Sequence, residues 1–161
     1  MKKLEMQGGS EIPSNDATRS FTRGTIDMHI HSNPHSSWKK ALNALQAVEQ
    51  ACEADMAAIV LKCNFFPTSG LAYILTQVVE NVKVFGGIVL NASVGGINRT
   101  AVERAIFYGE GKPGEFTKVI WMPTFSAPGD VAFNRRPITE KVEVLRNGDV
   151  VPELIPIFGL Q

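Results

Sequence analysis

Ala57-Ala58-Ile59-Val60-Leu61 is an unbroken apolar run of strand length, with none of the polar alternation of a strand that faces water on one side. Such a run suits a strand covered on both faces, the condition met in a parallel sheet packed by helices. Upstream, Leu42, Leu45, Val48 and Cys52 recur every three or four residues between about Trp38 and Ala54, the stripe of an amphipathic helix. Before it, residues 25–31 alternate, with Ile26, Met28 and Ile30 on one side of a strand and Asp27, His29 and His31 on the other; Asn33-Pro34 ends it. Downstream of Leu61, Pro67 closes a loop and Ser69 is placed to cap a second helix, with Leu71, Ile74, Leu75 and Val78 as its buried side. Residues 82–90 form a third strand in which Gly86-Gly87 marks a bulge or a close backbone approach. Thr100 and Glu103 have capping-box spacing before a third helix carrying Val102, Ala105 and Ile106, with Gly109 as a stop. Residues 118–122 make a fourth strand ended by Pro123.

Strand and helix in alternation is the pattern of right-handed parallel crossovers, so the fold class is α/β. Beyond Pro137 the pattern changes. Val142, Val144, Asn147-Gly148, Val150 and Val151 predict a hairpin, since Asn-Gly tolerates positive φ at both central positions of a primed turn. The apolar ending from Pro156 to Leu160 suggests the start of a further helix.

The chain has 161 residues, 44% of them hydrophobic, which suits one domain with a real core. Residues 1–22 lack apolar period and are set aside as a flexible leader; residues 23–161 form the expected domain. Sixteen basic residues balance 16 acidic ones, so the clustered positive surface of a nucleic-acid binder is not expected. Cys52 and Cys63 are too few for a disulfide framework. No signal-peptide h-region follows Met1, and no apolar stretch approaches the roughly 20 residues of a membrane span. A soluble, cytoplasmic chain without a membrane partner is expected.

All three histidines fall within seven positions: His29, His31 and His35. The His-x-His pair puts two imidazoles on one side of a strand, roughly 6.6 Å apart at Cα, where one divalent metal ion can take both. Asp27 stands one step earlier on the same face, ready to orient an imidazole or bind the ion itself. Two polar histidines can equally face solvent, and His35, past Pro34, reads as a loop residue. Lys62, Asn91 and Thr124 follow strands and are placed to contact a small-molecule substrate, Lys62 as a point charge for an anion. Each also has a structural reading, snorkelling for Lys62 and loop capping for the other two. Ser93-Val94-Gly95-Gly96 offers backbone N–H groups to a phosphate.

The stretch Ile26-Asp27-Met28-His29-Ile30-His31-Ser32 resembles the first-strand Asp-x-His-x-His signature of the amidohydrolase superfamily, and in particular its polymerase-and-histidinol-phosphatase (PHP) relatives. Ala58-Ile59-Val60-Leu61-Lys62, Phe65-Phe66-Pro67-Thr68, residues 86–91 and Trp121-Met122-Pro123-Thr124 are similar to a branch of amidohydrolase-like proteins, so that the resemblance covers about residues 24–155. It implies a metal-dependent hydrolase, with metal and substrate at the C-terminal ends of barrel strands. The cofactor it implies is a divalent metal, zinc first, with Mn or Fe as alternatives. The departures are specific. Where PHP relatives carry Asp-His after the second strand, this chain has Cys63-Asn64; Cys63 is a candidate thiolate ligand, and Asn64 offers only a carbonyl, to a weakly held cation or to substrate. The carbamylated lysine of some relatives ends the fourth strand, whereas Lys62 ends the second.

Four strands and a hairpin amount to a partial (β/α)8 barrel, its N-terminal half, and no histidine follows His35 to complete the family's ligand set. The expectation is an amidohydrolase-like hydrolase, or a truncated copy of one, with metal at His29 and His31, weak metal affinity and poor hydrolysis. The alternative is an inactive binding or oligomerising α/β module of the same ancestry, self-associating through open sheet edges.

Overall fold

The computed structural model describes residues 20–36, 38–109 and 111–159. Residues 1–19 of the expected leader lie outside them. From Thr22 the chain is anchored: its hydroxyl donates to the Ala54 carbonyl at 2.8 Å, and the Gly24 amide to that of Asp55 at 2.8 Å.

Four strands, β1 (Ile26–Ile30), β2 (Ala58–Leu61), β3 (Lys83–Val89) and β4 (Thr117–Trp121), form a parallel sheet in the order β1-β2-β3-β4. The crossovers carry helices α1 (Ala44–Glu53), α2 (Ser69–Thr76) and α3 (Arg99–Ile106). A short helix, α4 (Pro128–Phe133), follows β4. Strands β5 (Leu145–Arg146) and β6 (Asp149–Val150) make the expected antiparallel hairpin around Asn147-Gly148, and a last turn of helix, α5 (Ile155–Phe158), ends the described chain. The α/β class, the parallel sheet with helical crossovers and the hairpin therefore hold. No helix among the described residues is long and apolar enough to cross a membrane.

All four residues of β2 are buried, as an unbroken apolar run requires. Ile59, Leu61 and Val84 pack with Val48 of α1 and Leu75 of α2 in one core; Ile88 and Leu90 pack with Val102, Val151, Leu154 and Ile157 in a second. Burying a large aliphatic side chain contributes about 1.5–3 kcal/mol, so these two clusters fix the strand ends where loops gather.

Local readings shift in instructive ways. The buried residues of α1 are Ala44, Ala47, Val48 and Ala51, with Leu45 turned outward, because alanines let the helix lie close on the sheet. In α2, Ser69, Ala72 and Leu75 face inward, whereas Ile74 is 57% exposed and Val78, past the helix end, 63%. Thr68, not Ser69, is the residue before α2, and the Ser69 hydroxyl pairs with that of Thr117 in the core. Asn98 rather than Thr100 caps α3, its side chain accepting from the Ala101 amide at 3.1 Å. The capping box lies instead on α1, between Asn43 and Gln46.

Both readings of Gly86-Gly87 apply. The register of β3 against β4 shifts between them, and a Cβ on Gly86 would stand 2.5 Å from the Thr68 carbonyl carbon. A Cβ on Gly87 would meet the Val119 carbonyl oxygen at 2.2 Å and the Trp121 ring at 2.5 Å. Glycine here lets the Trp121 ring lie against the sheet.

Candidate functional site

The strand ends present two clusters of polar side chains. The first is on β1. Its register against β2 slips: Asp27 is level with Ile59 but Ile30 with Leu61, so three steps on β1 match two on β2. Ile59 and Leu61 both belong to the helix-covered core. The extra residue therefore interrupts the simple alternation between Asp27 and Ile30. Asp27 Oδ1 accepts from the His29 backbone amide at 2.9 Å, fastening the bulge rather than an imidazole.

Beyond the bulge the imidazoles meet. His29 Nε2 lies 3.1 Å from His31 Nε2, with ring centroids 5.1 Å apart. Lys62 stands beside them, since its backbone amide donates to the Ile30 carbonyl at 2.8 Å. Its side chain is buried at 5% exposure, its Nζ is 5.6 Å from the centre of the Trp121 ring, and no carboxylate pairs with it among the described residues. Trp121 in turn lies 6.2 Å from the His29 ring.

Both imidazoles are held below the usual histidine range. Burial, then the Lys62 ammonium, lowers His29, with the Asp27 carboxylate pulling weakly the other way. For His31 the causes are burial, Lys62, His29, Lys40 and His35, in that order, and they bring it to about 4. Burial also lowers Lys62. At neutral pH both imidazoles are neutral and carry a lone pair.

That geometry has two meanings. Two nitrogens each about 2.0–2.1 Å from one ion are roughly 2.8–3.4 Å apart when the angle at the ion lies between a right angle and tetrahedral. A single N–H···N hydrogen bond between neutral tautomers spans the same distance. The pair thus fits two adjacent positions on one ion. A third donor is not assembled, for no group of three or more His, Cys, Asp or Glu side chains that could hold a metal occurs among the described residues. His31 Nδ1 is buried without a hydrogen-bond partner, so the outer contact that usually fixes a ligating histidine is missing there.

The second cluster is satisfied. Asn91, 1% exposed, accepts with Oδ1 from the amides of Thr124 at 3.0 Å and Ser126 at 2.9 Å, and donates with Nδ2 to the Asn64 carbonyl at 2.9 Å. Ser93 donates to that carbonyl at 3.1 Å, and Thr124 Oγ1 to Asn64 Oδ1 at 3.4 Å. Asn64, Asn91 and Thr124 thus tie together the loops that follow β2, β3 and β4. Thr124 is the exposed member. Cys63 is a buried free thiol. The glycine loop offers little to a phosphate, since the Gly95 and Gly96 amides already donate to Ala92 and Asn91 carbonyls at 2.9 Å each.

His35 is half-buried, its ring 6.0 Å from that of His31 and 4.7 Å and 5.2 Å from Trp38 and Phe65. Phe65 continues to Phe125 at 5.2 Å, and the Arg136 guanidinium lies 3.5 Å from the centre of the Phe125 ring. The sequence signal of this aromatic chain is an aromatic residue in each of the loops after β1, β2 and β4, at Trp38, Phe65 and Phe125.

Fold and site together define the class: an α/β chain whose four parallel strands carry an imidazole pair and a buried lysine at their C-terminal ends. The chain belongs to the family of unknown function DUF6282, whose model matches residues 24–160. No curated protein and no solved structure matches it.

Proposed function

We propose that His29 and His31 hold one divalent cation, zinc first with Mn or Fe as alternatives, in a site of metal-dependent hydrolase type on the N-terminal half of a (β/α)8-like barrel. The observation that carries this reading is the 3.1 Å separation of two neutral imidazole nitrogens beyond a parallel strand, the place where such barrels keep their chemistry. When bound, the ion polarises a substrate carbonyl or phosphoryl oxygen and makes a bound water more acidic. The protein's own part is positional: Asp27 fixes the bulge that turns both imidazoles together, and Asn91 holds the neighbouring loops. With two ligands where catalytic zinc has three, affinity is modest and turnover of a small-molecule substrate slow.

Calorimetric titration of chelator-treated protein with zinc tests this. One ion per chain is expected, with affinity reduced about 100-fold or more in His29→Ala/His31→Ala. Unchanged binding in the double variant overturns it, as does no binding to the parent.

A second reading, an inactive binding or oligomerising module, is favoured by one observation. β1 is an edge strand of the sheet, and its Ile26 and Met28 are 59% and 58% exposed. It predicts a homo-oligomer in which zinc changes nothing.

A further inference from the structure

We propose that this site takes a small anionic substrate, and that the Lys62 ammonium receives its carboxylate or phosphate group. The inference rests on the imidazole-pair reading for where the chemistry happens, but the anion contact stands on Lys62 alone.

A lysine at 5% exposure is costly to keep, since burial of a charge without a partner is offset only by an opposite charge or strong hydrogen bonds. Among the described residues no carboxylate supplies that charge. Asp27 is engaged with the His29 amide; Asp130 and Glu140 pair with Arg136, and Glu143 pairs with Lys141 and Arg146. The aromatic face 5.6 Å away is a weak substitute, typically about 0.5–2 kcal/mol. Lys40 adds a second positive charge felt by His31, its Nζ 4.3 Å from the centre of the Trp38 ring. The Lys62 ammonium, near the Trp121 ring and close enough to both imidazoles to lower them, is complementary to an anion, and His29 beside it is exposed, which leaves an approach. An anion there also counters the repulsion between Lys62 and a cation on His29 and His31, so the two occupants support each other.

Trp121 is a built-in reporter, and the chain's only other tryptophan, Trp38, can be replaced by phenylalanine. Chelator-treated Trp38→Phe protein is titrated with inorganic phosphate and, separately, with acetate, following tryptophan emission. A saturable change is expected with at least one; which binds tighter tells a phosphate-bearing from a carboxylate-bearing substrate. Lys62→Met in that background should weaken binding about tenfold or more, and Lys62→Arg only a few-fold, because a charge-assisted hydrogen bond is worth roughly 1.5–3 kcal/mol. Methionine keeps the unbranched stem, and thermal melts of both variants verify folding. Equal affinity in Lys62→Met and its parent overturns the proposal, as does no response to either anion. Lys62-dependent anion binding in a protein that takes up no zinc leaves this inference standing and defeats the metal reading; zinc uptake with Lys62-independent anion binding does the reverse.

Discussion

Two polar clusters at the ends of the same parallel strands follow opposite rules. Around Asn91 both side-chain polar atoms are engaged, with two amides on Oδ1 and a carbonyl on Nδ2, all three loops tied at 2.9–3.0 Å. Around His31 valences stay open: Nδ1 is buried and unpartnered, Lys62 has no counter-charge among the described residues, and the two Nε2 atoms have each other as partners at 3.1 Å. Leaving a buried polar group unsatisfied costs about 1–3 kcal/mol, so a fold tolerates it chiefly where something else binds. The satisfied cluster is scaffold, and the unsatisfied one is the candidate for a ligand.

Substitutions can break that contrast. Asn91→Ala removes the acceptor of the Thr124 and Ser126 amides and one of two donors to the Asn64 carbonyl, and should lower unfolding free energy by about 2 kcal/mol in urea melts, while zinc affinity stays within about twofold. A large loss of zinc binding in a folded Asn91→Ala protein would mean that the clusters do not separate. His31 gives a pH signature. Its folded value, about 4, lies below the unfolded 6.5, so the unfolded chain binds more protons between those values. Its contribution to stability is present above about pH 6.5 and lost as pH falls toward about 4. Urea midpoints should fall across this window, and His31→Gln should flatten that part of the slope by roughly 1 kcal/mol after allowance for solvent screening. A slope unchanged by His31→Gln would contradict the assignment. The smallest effect is on zinc itself: removing the Lys62 charge should tighten zinc binding in anion-free buffer by roughly 1 kcal/mol, about fivefold. Weaker zinc binding in Lys62→Met would show that the lysine does not oppose the ion.

The sequence discloses these two clusters unequally. The buried run at residues 57–61, the helical periods between strands and the Asn-Gly turn express hydrophobic periodicity and turn chemistry, both local properties, and the parallel sheet and hairpin follow from them. The His-x-His spacing is local too, and brings two imidazoles to one place. What failed depends on contacts distant along the chain. Leu45, Ile74 and Val78 look like core residues until alanines at 44, 47, 51 and 72 bring the helices closer to the sheet on neighbouring faces. The bulge that separates Asp27 from the imidazoles shows only in the register with β2. Asn91 and Thr124 read as substrate contacts because both follow strands. That Asn91 is spent on loops 27 to 35 residues away in the chain has no local signature.

The central claim, one ion shared by two imidazoles, is most directly tested by zinc-edge X-ray absorption on protein loaded with one equivalent. The account predicts two imidazole nitrogens at about 2.0–2.1 Å, the remaining positions filled by light oxygen donors, and loss of the imidazole signal in His29→Ala/His31→Ala. Sulfur at about 2.3 Å, pointing to Cys63 or Cys52, or a spectrum without imidazole scattering, would contradict it.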